Sequence, residues 1–162
     1  HGGEDHSDGI KWVFPEVKLT RVDGVPGHMV HEPIEGVVYV SDTGTGRLLK
    51  INPKTATWAG VEETWFGDGI QEIMTGATVT EVVGTNQGLI QPAGLALHDG
   101  VLFVGDYATG WLFAYTVDGT LVNSLDTGLG QKALGGITVG PDGQIYLVDM
   151  LTNRVLRINS AP

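Results

Sequence analysis

Histidine and aspartate are the side chains in this sequence whose types and placement could do chemistry. His28 and His31 flank a short strand-like run, HMVH. Neutral imidazole ligates zinc, copper or iron, so this pair is the candidate site for a divalent metal. His98, in a His-Asp-Gly turn, is a candidate third member. Only one unit of the chain carries such a pair, which favours the alternative of an ordinary hydrogen-bonded His28. His1 and His6 form a second candidate, since an N-terminal amine and ring nitrogen can chelate copper. Asp42, Asp106 and Asp149 share one repeated position. A carboxylate that recurs in every unit suits a turn, where it accepts backbone N–H groups, better than it suits catalysis. Several catalytic templates are absent: no G-x-S-x-G elbow, no phosphate-binding G-x-x-x-x-G-K-[ST] loop and no H-E-x-x-H pair. His31-Glu32 is followed by Pro33, which rules out a helical zinc motif.

The elements that must position these residues are strands. GVVYVSDTGTGRLLKIN at 36–52 returns as GVLFVGDYATGWLFAY at 100–115 and as GQIYLVDMLTNRVLRIN at 143–159. Each copy runs Gly, apolar strand, Asp, a polar turn closed by Gly or Asn, then a second alternating strand. The period is about 40 residues, the mark of a β-propeller, and the first interval carries an insertion of about 20 more. A small-residue strand leads each copy: His28–His31, Gly94–Leu97 and Gly136–Val139. A further alternating run precedes each of these: Val17–Val22, Thr78–Val83 and Leu121–Leu125. Taken in that order, the chain reads as three four-stranded antiparallel blades whose outermost strand comes first. Such a ring seals by pairing its two ends, which removes an open edge. Residues 1–10 read as a flexible arm, and 11–162 as the blades with an insertion at about 53–77. That insertion reads as a hairpin or a short helix, since its periodicity does not decide.

Composition narrows the function classes. Among 162 residues, 41% are hydrophobic and 17% charged, which supports a packed core rather than disorder. The formal charge of −10 repels phosphate backbones and disfavours nucleic acid as a partner. With no cysteine, disulfides and thiolate metal sites are excluded within this sequence. No apolar run approaches the roughly 20 residues of a transmembrane helix. A start at His1 fits either a removed signal peptide or a piece of a longer chain. The expectation drawn from it is a periplasmic or extracellular setting.

The repeat resembles the NHL family of β-propellers through Gly36, Tyr39, Asp42, Gly46 and Arg47, and through Gly143, Tyr146, Asp149, Asn153 and Arg154. Gly100, Phe103, Asp106, Gly110 and Trp111 match more loosely. The resemblance implies an all-β ring, usually of six blades, of which this sequence supplies three. Either a protein partner or a second copy completes the ring, or the sequence is part of a longer chain that supplies the remaining blades. Family members that are amidating lyases place metal-binding histidines around the channel, so the resemblance allows a metal-dependent hydrolase or lyase built on His28 and His31. With no convergent catalytic set, the favoured expectation is a protein-binding or scaffold subunit with no required cofactor. Its candidate contact residues are Trp58, Trp65 and Phe66 in the insertion, and Trp111, where the other copies have arginine.

Overall fold

The computed structural model describes residues 11–63 and 70–159, all β apart from two single-turn 3-10 helices at Pro53–Thr55 and Thr85–Gln87. The strands are β1 Lys11–Val13, β2 Met29–Glu32, β3 Val37–Asp42, β4 Arg47–Asn52, β5 Thr57–Glu63, β6 Ile70–Thr75 and β7 Thr78–Val83. They continue as β8 Pro92–His98, β9 Val101–Asp106, β10 Trp111–Thr116, β11 Leu121–Asp126, β12 Leu134–Val139, β13 Ile145–Asp149 and β14 Arg154–Ile158. They form a first sheet β2-β3-β4-β7, a second sheet β8-β9-β10-β11 and a third sheet β12-β13-β14, all antiparallel. A separate sheet, β1-β6-β5, carries one parallel pair, β1 with β6.

The repeat fixes the two hairpins of each sheet through its glycines. The turn-closing position is left-handed in all three copies: Gly46 at φ 69°, Gly110 at φ 79° and Asn153 at φ 56°. Only Gly, and among side-chain residues Asn or Asp, reach that region at low cost, which explains the composition of the turn.

Alternation then gives each sheet two faces. Equivalent residues on one face are Tyr39, Phe103 and Tyr146, with Ser41, Gly105 and Val148 two positions on. This is the back face, which meets the following sheet. Leu48 and Val83 from the first sheet pack in one core cluster with Leu95, Leu102, Val104, Phe113 and Tyr115 from the second. Ala96 and Leu112 from the second sheet pack in another with Leu134, Ile137 and Leu147 from the third. Burying each such leucine contributes about 1.5–3 kcal/mol. Hydrogen bonds tie the same faces: Ser41 Oγ donates to Ala93 O at 3.2 Å and Thr43 Oγ1 to Pro92 O at 2.7 Å. A Cβ on Gly94 would collide with the Gly135 carbonyl, so small residues lead the inner strands where adjacent sheets crowd together. Three successive sheets facing one another by their inner strands make an all-β arrangement consistent with a propeller-like fold.

Three expectations need correcting. The alternating runs Thr78–Val83 and Leu121–Leu125 close the preceding sheet rather than open the next: β7 pairs with β4, and β11 with β10. A strand pairs most readily with its spatial neighbour, and the long insertion between β4 and β7 does not prevent this. Val17–Val22 forms no strand, only the isolated bridge Val22–Val25. Its Thr20 N–H is instead used on Asp42 Oδ1, at 2.6 Å. Among the described residues there are therefore two four-stranded repeat sheets and one of three strands, rather than three four-stranded blades. The third sheet has no outer strand among the described residues, and β14 pairs only with β13.

The insertion forms the β5–β6 hairpin, and β1 adds to its β6 edge. Residues 1–10, the expected arm with His1 and His6, lie outside the described residues, as do Trp65 and Phe66.

Candidate functional site

The three aspartates are buried at the ends of β3, β9 and β13, and each is surrounded by donors. Asp106 accepts from Ile90 N at 2.7 Å and Gln91 N at 2.8 Å, and from Thr109 N and Oγ1 at 3.0 Å. Asp42 accepts from Thr20 N and from Arg47 Nε at 2.9 Å. Asp149 accepts from Leu151 N at 3.0 Å, from Thr152 and from Arg154 at 3.1 Å. Burial pushes the Asp42 carboxyl up, but the Thr45, Thr20 and Arg47 donors outweigh it and hold the group below its ordinary value. The Thr152 hydroxyl and Arg154 hold Asp149 down in the same direction. Carboxylates held by donors from their own turns and from neighbouring segments act as turn braces. Where Trp111 replaces arginine, Asp106 makes up the loss with two backbone donors from the segment before β8.

The histidines lie near the inner strands. His28, His31 and His98 line one cavity of about 480 Å³ between β2, β8 and β12. Burial pushes the His28 imidazole below its ordinary pKa. Its N–H backbone group donates to Ser41 Oγ at 2.9 Å, and its ring lies against Gly136 of the third sheet. His31 shares its repeat position with Leu97 and Val139, which are half-buried. It is exposed, because among the described residues no sheet packs in front of β2. His98 lies 3.4 Å from Asp99, at the surface. Among the described residues, no group of three or more acidic or histidine side chains converges as a metal centre.

Among the described residues, three faces carry exposed apolar side chains. The first is the β1-β6-β5 sheet. Register puts Trp12, Glu72 and Val61 on one row, with Ile70 and Trp58 on the same face. Trp12, Trp58, Val61 and Ile70 are exposed, Trp58 to 60%, while Met74, the partner of Trp58 at the end of this face, is buried. The Trp12 indole N–H donates to Glu72 Oε2 at 2.8 Å, which sets that ring on the sheet. Trp111 behaves differently: it stacks along its own strand on Phe113, at 6.2 Å between ring centroids, and stays partly exposed.

The second surface is the back of the third sheet. Leu48, Leu112 and Val155 occupy one position of the repeat, yet their exposures are 0%, 5% and 71%. The front of the first sheet mirrors this. Met29, Leu95 and Ile137 occupy another shared position, opposite Val40, Val104 and Leu147, and are 69%, 2% and 8% exposed. The repeat made each of these positions legible in the sequence. Their unequal burial depends on neighbours and could be found only from the fold.

Among the described residues, no helix is long and apolar enough to cross a membrane. No protein-family model matches this chain, and no curated protein matches it. Among solved structures, the crystal structure of Myxococcus xanthus glutaminyl cyclase is similar to it at 14% identity and a TM-score of 0.42, over 86% of this chain and 75% of that one. A likeness at that level carries no argument, so the all-β, propeller-like description rests on the strand pairing itself.

Proposed function

We propose that this chain is an NHL-type propeller module that works outside the cytoplasm as a protein-binding or scaffold subunit. One observation carries the reading: a sheet separate from the stacked repeat sheets displays Trp12, Trp58, Val61 and Ile70 on a single exposed face. Clustered apolar surface of this kind marks interaction sites, and tryptophan is among the residues most enriched where binding energy concentrates. The repeat aspartates, by contrast, are consumed in bracing turns. Quantitative affinity capture with the wild-type chain and Trp58→Ala tests the reading. A partner whose recovery falls tenfold or more with the variant supports it. Equal recovery by the two proteins removes this face from the account.

A second reading, a metal-dependent hydrolase or lyase, is favoured by the three histidines lining one cavity. Stoichiometric zinc, calcium, copper or iron in the purified protein, lost on His28→Ala, supports it. Absence of bound metal together with no turnover of lactone or ester substrates removes it.

A further inference from the structure

We infer that the seam between the first and second repeat sheets is a groove that takes a short, positively charged peptide segment. Both walls are formed within the described residues, by sheets that pack on one another in a single core cluster. Two adjoining cavities of about 450 and 540 Å³ open along the seam and share Glu35 and Val117. Each falls in the range of roughly 300–1,000 Å³ typical of ligand pockets. The first lies between the β2–β3 and β8–β9 turns, the second between β4, β7 and the β10–β11 turn. The pair thus crosses the first sheet from its inner strand to its outer one. Three strand spacings of about 4.8 Å make a seam about 14 Å long, the span of about four extended residues. That shape suits a stretch of backbone better than a single small molecule.

The floor of the groove is apolar. Tyr39 and Leu97 come from the two walls, Val117 lies where the cavities meet, and Ile34 stands at the rim, 91% exposed. The rim is acidic. Glu32, Glu35, Glu81, Asp99 and Asp118 line the two cavities, against one lysine, Lys50, no arginine, and the histidines His31 and His98. Lys50 is taken up by Glu35 at 2.5 Å, and Glu81 meets Arg47 at 3.5 Å. Among the described residues, Glu32, Asp99 and Asp118 form no ion pair with lysine or arginine.

Backbone geometry holds these carboxylates over the seam. The Ile34 and Glu35 N–H groups donate to Glu32 at 3.0 and 2.6 Å. Asp99 takes the left-handed region at φ 47°, which Asp and Asn reach at lower cost than other side-chain residues. A Cβ on Gly119 would strike the Val82 carbonyl, so the β10–β11 turn bears directly on the first sheet beside Asp118. A basic segment with alternating side chains complements this groove, with aliphatic groups on the floor and lysine or arginine toward the rim. Burial on the floor supplies affinity, while the rim selects the sign of charge and speeds encounter. The lining shares no residue with the Trp58 face, so the groove stands or falls independently of it.

Fluorescence anisotropy with labelled, end-capped hexapeptides tests this. One alternates leucine and lysine, and two controls carry serine or glutamate in place of lysine. The wild type is expected to bind the lysine peptide at least about tenfold more tightly than either control, and less tightly as salt rises. Asp99→Asn combined with Asp118→Asn keeps the turn shapes, removes two rim charges, and should weaken binding about tenfold. Ile34→Ser should weaken it through the floor. Asp23→Asn combined with Asp126→Asn removes the same charge outside the lining and should leave binding unchanged. Circular dichroism and thermal midpoints confirm that each variant folds; should the rim variant unfold, Ile34→Ser and the peptide comparison decide.

Equal affinity for the three peptides overturns the inference, as does a folded rim variant that binds like the wild type. Equal weakening by the two double variants overturns it too, since that means attraction to the net charge of −10 alone. Displacement by n-butylamine at the concentration that suffices for unlabelled peptide would mean a pocket for small cations and would end the peptide assignment.

Discussion

The back of the first sheet and the back of the third are built from the same repeat and live in different surroundings. Tyr39, Ser41 and Leu48 are sealed beneath the second sheet; Tyr146 is half-buried, and Val148 and Val155 face solvent. The polar groups follow their neighbours. The Tyr39 hydroxyl donates to Val117 O in the adjacent sheet at 3.4 Å, whereas the Tyr146 hydroxyl turns to Asp142 of its own hairpin at 2.9 Å. Lys50 pairs with Glu35 in the first sheet, and Arg157 with Asp142 in the third. The repeat sets which face a side chain occupies. Whether that face becomes core or contact surface is set by what packs on it.

The sharpest way to break this comparison is truncation at one repeat position. Leu48→Ala should cost about 2–5 kcal/mol, since it opens a cavity in a sealed cluster. Val155→Ala in the isolated subunit should stay within about 0.5 kcal/mol. Urea titrations of the two variants give both numbers, and similar losses would erase the distinction between the faces.

The aspartates extend the comparison. Asp106→Ala strands four donors, two of them from the segment before β8, and should cost about 3 kcal/mol. Asp149→Ala should cost less, because its donors all come from its own turn. The reverse order in thermal denaturation would mean that the upstream tie matters little.

The turns give a smaller effect. Gly110→Ala should destabilise more than Asn153→Ala, because a side chain there also strikes the Gly130 backbone. Each substitution forces a left-handed residue, at about 1–2 kcal/mol, and only the first adds a collision. Equal midpoints would remove that added collision from the account.

The weakest effect is on pH. The Asp42 carboxyl is held below its ordinary value in the folded chain. Its stabilisation is therefore fully present above the unfolded aspartate pKa of about 3.9 and is lost as pH falls through the folded value. Asp42→Asn should flatten that acid limb in denaturant titrations; an unchanged slope would show that other carboxylates set it.

Much of this architecture was legible in the residues. The strand-Asp-turn-strand unit announces itself because its turn demands Gly or Asn and its strands alternate. Sheet membership of the outer strands was not legible. Thr78–Val83 alternates identically whether it closes one sheet or opens the next, and only hydrogen bonding to Lys50 and Ile51 decides. Val17–Val22 has strand-like composition, but its backbone is drawn to Asp42 and Gly44. His31 shares a repeat position with the half-buried Leu97 and Val139 and is exposed because, among the described residues, no sheet packs in front of β2. Trp58 stands out in the sequence as an aromatic residue of the insertion. Its place on a shared exposed face with Trp12 depends on a parallel pairing between strands roughly sixty residues apart, which no local pattern encodes.

Since the chain has no cysteine, single cysteines can report burial directly. Thiol labelling of Leu48→Cys, Leu112→Cys and Val155→Cys under native conditions tests whether three identical repeat positions have two different fates. Cysteine at 155 should react fast, while those at 48 and 112 stay protected. Equal labelling at all three positions would contradict the account.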